Sequence, residues 1–306
     1  MIATEEKKEK KINQRQPLKG LTIGLSISES PDLQQRGFGE VHLHDAMVEF
    51  ARYFLASGAV LAYGGDLRPG GFTQTLFELV KMYNQEGRSQ ADRILNFLAW
   101  PVHLAQLRAK DQAELKNIAV FYKLIPPSDL NIDPAIYIKS DTPENRYIWA
   151  RCLTAMRKTM NDFIHARLLL GGKVTGYSGK YPGIAEEAYC ALKAKKPLYL
   201  IGAFGGCTKA VIDSLLNGQS DLLNYDFQIQ NEDYKAMFTL YNQKIQNVPD
   251  EEPIDYKKLV SFFHEKGIAG LNNGLTEEEN KRLFETIHIP EMVMLVLKGL
   301  SDLTQN

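Results

Sequence analysis

From Leu18 to Leu222, short β-rich runs alternate with longer stretches that carry apolar residues at three- and four-residue spacing. This cadence constrains the fold more than any other feature of the chain, because it is the pattern of βα units stacked around a mostly parallel sheet. Strands are expected over residues 21–27, 59–63, 93–99, 118–123, 167–170 and 197–201, and helices over 42–56, 73–84, 146–166, 183–194 and 205–216. Right-handed crossovers then give an α/β, Rossmann-like, doubly wound sheet with ligands at the carboxyl ends of its strands.

Past residue 222 the β-rich runs stop and Asn, Gln, Asp and Glu become more frequent. Residues 234–245, 255–265, 276–286 and 290–303 read as helices, and Thr276 with Glu279 forms a capping-box pattern. The expected organisation is a disordered tail over residues 1–17, a sheet domain over 18–222 and a helical region over 223–306. The helices of 256–303 are expected to pack on the sheet domain or on a partner.

Composition narrows the function classes. An apolar fraction of 44% and a charged fraction of 24% belong to an ordinary globular chain. The formal net charge of −1 supplies no field for holding nucleic acid, so direct binding of that kind is not expected. Cys152, Cys190 and Cys207 cannot all pair and have no metal-type spacing, which points to a reducing, cytoplasmic compartment. The Lys-, Glu- and Gln-rich start has no apolar core of a signal peptide, and the longest apolar run is interrupted at Trp100, Pro101 and His103. No membrane role, metal or cofactor is expected.

Chemistry is expected in the loops after the strands. Ser26 and Ser28 stand at the end of the first strand. The second is followed by Gly64, Gly65, Asp66, Arg68, Gly70, Gly71, Phe72 and Thr73. Glycines there let the backbone approach a phosphate, Thr73 can cap the next helix and Arg68 adds charge. Gly171 and Gly172 end the fifth strand, Gly183 opens the next helix, and Gly205 and Gly206 separate the sixth strand from its helix. Helix N-termini beside such turns favour anionic ligands. Arg157, on the helix before the fifth strand, can hold an anion, and Glu187 can handle a sugar hydroxyl or a developing cation. Lys180, with Thr175 and Tyr177, lines the pocket or belongs to a surface flap. Each has a plain reading too: a Gly-Gly after a strand is most often only a turn, and Glu186 and Glu187 suit a helix start through its dipole alone. Of the two, Glu187 is assigned the ligand role. His42 and His44 do not share a helix face and are not expected to bind metal.

The run Met156-Arg157-Lys158-x-Met160, the strand ending Leu170-Gly171-Gly172 and the segment Gly183-Ile184-Ala185-Glu186-Glu187 resemble the core of the LOG-type phosphoribohydrolases. The loop from Gly64 to Gly71 and the order of elements resemble the broader SLOG superfamily, which groups LOG-like, DprA-like and TRPM-like nucleotide-binding domains. By that resemblance Arg157 and Glu187 fall on the pair that cleaves an N-glycosidic bond, and Gly171, Gly172 and Gly183 on the phosphate loop. The chain departs from the pattern where residues 173–181 split the glycine loop and where Ile184 replaces the motif threonine. The glycine loop and helical tail look more like SLOG domains of prokaryotic conflict systems, some of which sense ADP-ribose-type signals made by TIR enzymes. The resemblance implies a nucleotide-signal sensor in a defence system, acting as a homo-oligomer or with an effector protein. The alternative is a nucleotide N-glycosidase.

Overall fold

The computed structural model describes residues 16–65, 67, 70–85 and 93–305. Its strands are β1 (Thr22–Ser28), β2 (Val60–Tyr63), β3 (Ile94–Leu98), β4 (Ala119–Lys123), β5 (Ala166–Gly171) and β6 (Leu198–Ile201). They form one all-parallel sheet in the order β4-β3-β2-β1-β5-β6. The chain winds outward from β1 to β4, then returns past β1 and continues the other way through β5 and β6. The direction therefore switches between β1 and β5, where Ser28 lies opposite Gly171, and crossovers leave that point on opposite faces so that a crevice opens at the carboxyl ends.

Connecting the strands are α1 (Glu40–Ala56), α2 (Phe72–Gln85), α3 (Val102–Gln106), α4 (Ala109–Leu115), α5 (Pro143–Phe163) and α6 (Gly183–Lys193), and α7 (Gly206–Asn217) follows β6. Beyond them lie α8 (Tyr225–Gln228), α9 (Glu232–Lys244), α10 (Tyr256–Lys266), α11 (Glu277–Glu285) and α12 (Ile289–Gln305). The expected strands and long helices are all present, with shifted ends. α5 begins earlier than its apolar stripe suggests, because Thr142 accepts a hydrogen bond from the Asn145 amide at 3.2 Å and Pro143 occupies the first turn. It stops at Phe163, since Ile164 and His165 lead into β5. The short helices α3, α4 and α8 are too brief to carry a periodic signal.

Strand alternation divides the core. Ile23, Leu25 and Ile27 of β1 and Leu168 and Leu170 of β5 face α1, where Leu43, Met47, Phe50 and Phe54 meet them. Leu169 faces the other way, toward Ile184, Ala185 and Ala188 of α6. The C-terminal helices share these cores: Tyr234, Met237, Tyr241, Leu259 and Phe263 of α9 and α10 pack with α6 and α7, while Leu283, Met292, Val293 and Val296 of α11 and α12 join the α1 side. Asn273 donates to the Leu198 carbonyl at 2.9 Å and Tyr199 donates to the Asn273 carbonyl at 2.7 Å, tying that region to β6. Among the described residues no helix is long and apolar enough to cross a membrane.

The capping box at α11 is formed. Thr276 Oγ1 accepts from the Glu279 amide at 3.2 Å, and Glu279 accepts from the Thr276 amide at 3.0 Å. Thr276→Ala should lower stability by about 1 kcal/mol, the ordinary value of a lost N-cap. Urea denaturation checks it, and an unchanged midpoint would show that the cap contributes nothing.

Candidate functional site

The loop after β2 and the start of α2 form one wall of a cleft of about 290 Å³ at the carboxyl edge of the sheet. Ser28, Gly64, Gly65, Gly70, Gly71 and Phe72 line it, together with Ile27, Glu29, Glu40, Leu43, His44, Tyr63 and Lys173. The amides of Gly71 and Phe72 stand where no carbonyl of α2 can accept from them, at the positive end of the helix dipole. Phe72 is held by His44, whose ring lies near-parallel at 5.6 Å and whose Nε2 shares a hydrogen bond with Thr75 Oγ1 at 2.9 Å. The site thus offers backbone donors beside an aromatic surface, which suits a phosphate joined to a base or sugar. Lys173 pairs with Glu29 at 3.2 Å on the opposite wall. Thr73 is buried in the first turn of α2, and Asp66 and Arg68 lie outside the described residues.

The glycines after β5 and β6 make tight packing turns. Gly171 has φ +61°, and a Cβ there would stand 2.6 Å from the Ser28 carbonyl oxygen. A Cβ on Gly172 would come within 2.8 Å of Cys207 and Ile184. The Gly172 amide donates to the Ser28 carbonyl at 2.8 Å, and Ser28 Oγ accepts from the Lys173 amide at 3.0 Å. At the start of α7 the Gly206 amide donates to Asp32 Oδ1 at 2.8 Å, and Arg36 holds the same carboxylate at 2.6 Å. That helix N-terminus already carries an internal anion, in the place where Gly205 and Gly206 are expected to meet a phosphate.

Neither Arg157 nor Glu187 is among the described residues of the cleft wall. Both belong to a buried ionic network between α5, α6 and the sheet. Arg157 Nη1 donates to Glu186 Oε2 at 2.5 Å, while its Nε lies 3.6 Å from Glu187 Oε1. Thr154 Oγ1 donates to the other oxygen of Glu186, which is fully buried. Glu187 Oε2 accepts from Arg167 Nη1 at 2.6 Å and from the Ser26 hydroxyl. Arg167 also donates to Ser26 Oγ at 2.8 Å and to Asn161 Oδ1 at 3.2 Å. Burial works against the charge on Arg157, but Glu186 and then Glu187 outweigh it and raise its pKa. On Arg167 burial prevails over Glu187 and lowers it.

Gly183 opens α6 close under Arg157: a Cβ there would stand 3.1 Å from Nη2. The segment 173–181 closes over the network. Lys180 and Tyr181 are buried, Tyr177 donates to Gln228 Oε1 at 2.6 Å, Tyr234 donates to the Lys180 carbonyl at 2.6 Å, and Tyr181 and Asp255 are linked at 2.8 Å. Thr154, Asn161 and Arg167 complete the network without having been singled out in the sequence. Arg167 had a signal, since a cation inside an apolar run that reads as a buried strand requires a buried partner. All three cysteines are buried, which pushes Cys152 and Cys207 up to about 12 and Cys190 to about 11. They are poor nucleophiles.

A family model described as SLOG cluster2 matches residues 17–283. The chain belongs to that family, and membership points to a nucleotide-related function. No curated protein matches the chain.

Proposed function

We propose that this member of the SLOG family binds a nucleotide or ADP-ribose derivative in the cleft at the carboxyl edge of β1 and β2, and serves as a nucleotide-signal sensor of a prokaryotic defence system. The observation that carries the reading is the cleft itself: a cavity at the carboxyl ends of β1 and β2, beside the switch point, glycine-walled, with the start of α2 and Phe72 turned to it. Its volume of about 290 Å³ lies at the small end of ligand sites and suits a mononucleotide or one half of ADP-ribose. Arg157 and Glu187 are engaged by internal partners and covered by residues 173–181, which favours capture over turnover.

A route from the cleft to the C-terminal helices supports the sensor role. Lys173 lines the cleft, and the segment that it begins is hydrogen-bonded through Tyr177, Lys180 and Tyr181 to Gln228, Tyr234, Tyr256 and Asp255. A ligand that displaces Lys173 from Glu29 would pull on contacts made by α8, α9 and α10, which is the differential contact a sensor needs.

The test is a panel of nucleoside monophosphates, NAD, ADP-ribose and cyclic ADP-ribose isomers, followed by thermal shift and by chromatography for released base. A raised melting temperature without base release is expected. Phe72→Glu places a carboxylate at the start of α2, where the helix dipole tolerates it but a phosphate does not, and should weaken binding at least about tenfold. A panel without any shift, or a shift that Phe72→Glu leaves intact, would sink the reading. Base release by the unaltered chain would make it an N-glycosidase instead.

A further inference from the structure

A second cavity, of about 280 Å³, lies between α5 and α6 under residues 250–252, and it shares no described wall residue with the carboxyl-edge cleft. Thr154, Asn161, Lys180 and Cys190 form its inner wall, and Lys158, Tyr189 and Lys193 stand nearer its rim. Lys180 is 4% exposed. Its ammonium lies over the rings of Tyr181 at 5.9 Å and Tyr241 at 6.0 Å, and among the described residues no oxygen accepts a hydrogen bond from it. Unlike the enclosed Nε atoms of Arg157 and Arg167, this ammonium opens on the cavity, where its N–H donors can meet an anion.

The surrounding charges do not supply one. Beneath the cavity, Arg157 and Arg167 are matched by Glu186 and Glu187, two against two, so Lys180 is a fifth charge without a counterpart. Glu251, which does not line the cavity, gives one oxygen to Lys158 at 2.8 Å and keeps the other buried without a hydrogen-bond partner, and Glu252 at the rim is held by Lys193 at 3.1 Å and Lys258 at 3.7 Å. Among the described residues no carboxylate forms an ion pair with Lys180. Burial pushes the Glu252 carboxyl up, but the hydrogen bond from Tyr189 and the ammonium of Lys193 outweigh it and hold it at about 2. Asp162 and Asp250 are exposed at the mouth, where water and salt screen them. Asn161 gives its oxygen to Arg167, which leaves its amide hydrogens uncommitted among the described residues.

We propose that this cavity is a binding site for a small oxyanion, a carboxylate or a phosphate group, held by the Lys180 ammonium and the Asn161 amide. Its volume admits a small organic acid or a phosphate monoester and is too small for a dinucleotide. The site stands apart from the nucleotide cleft and does not depend on it.

Calorimetric titration of the full chain with inorganic phosphate and, separately, with succinate, at ionic strength matched with chloride, tests the proposal. Saturable heat is expected with one of them, phosphate marking a phosphoryl ligand and succinate a carboxylate. Lys180→Met should weaken that binding at least about tenfold, whereas Phe72→Glu, in the other cleft, should leave it unchanged. No saturable binding of either anion, or equal binding by Lys180→Met, overturns the proposal, and so does binding that Phe72→Glu abolishes. Should Lys180→Met not fold, the unaltered chain still decides. Slow labelling by methyl methanethiosulfonate should be retarded by the anion at Cys190, which lines the cavity, relative to Cys152 and Cys207. Labelling of Cys190 that the anion leaves unaffected counts against the site.

Discussion

Glu187→Gln is expected to destabilise the fold by about 3 kcal/mol or more, the range seen when one partner of a buried ion pair is removed. Arg167 has no exposed surface, and Glu187 is its only ionic partner among the described residues, at 2.6 Å. With that charge gone, the guanidinium retains Ser26 and the Asn161 oxygen at 3.2 Å, both neutral. The stranded cation, more than the lost hydrogen bond, sets the size of the effect. Replacing Arg167 by Met in the Glu187→Gln chain removes it, so the double variant should recover most of the loss. Urea denaturation of the two single variants and the double variant gives the coupling directly. A Glu187→Gln chain with the midpoint of the unaltered protein would mean that the network contributes no stability. The result also governs the reading of any assay: loss of base release in Glu187→Gln identifies a catalytic carboxylate only if the variant is shown to be folded.

This network is where sequence reasoning and structure part. Strands such as Leu168–Leu170 and the stripe of α1 were legible because a buried parallel strand and an amphipathic helix have different periods. The carboxyl-edge cleft was legible as well, since glycines after β2 mark a close backbone approach. Spacing alone could not say which of Glu186 and Glu187 meets Arg157, because adjacent residues on a helix point about 100° apart. Arg157 makes its shorter contact with Glu186, at 2.5 Å, and Glu187 turns to β1 and Arg167. Nor could periodicity reveal that residues 173–181 are fastened by Gln228, Tyr234, Tyr256 and Asp255, which lie far along the chain. Those contacts depend on where α8, α9 and α10 dock. A buried strand cation such as Arg167 did give notice of itself, but only of the need for a partner and not of its identity.

Gly202→Ala is the other substitution with a large expected effect, and it bears on whether residues 223–306 form a region of their own. Gly202 follows β6 directly, and the end of α11 passes so close that a Cβ would stand 2.1 Å from the Phe284 carbonyl oxygen and 3.0 Å from its carbon. The obstacle is backbone, which cannot rotate away as a side chain tip would. Leu283 and Phe284 are buried on either side of it, and Arg282 is tied to Glu291 at 2.6 Å, so α11 resists moving outward. Overpacking of this kind costs about 3 kcal/mol. How the loss is distributed is the informative part. Leu283, Met292, Val293 and Val296 share a cluster with Phe50 of α1 and Ile23 of β1, so a strain placed on α11 is a strain on the sheet's own core. A single cooperative transition at a lower urea midpoint is expected, with hydrogen-exchange protection falling together in α11, α12 and β1. Early loss of α11 and α12 with β1 still protected would instead show that the C-terminal helices open as a separate unit, and the route from cleft to helices would then end in a detachable element.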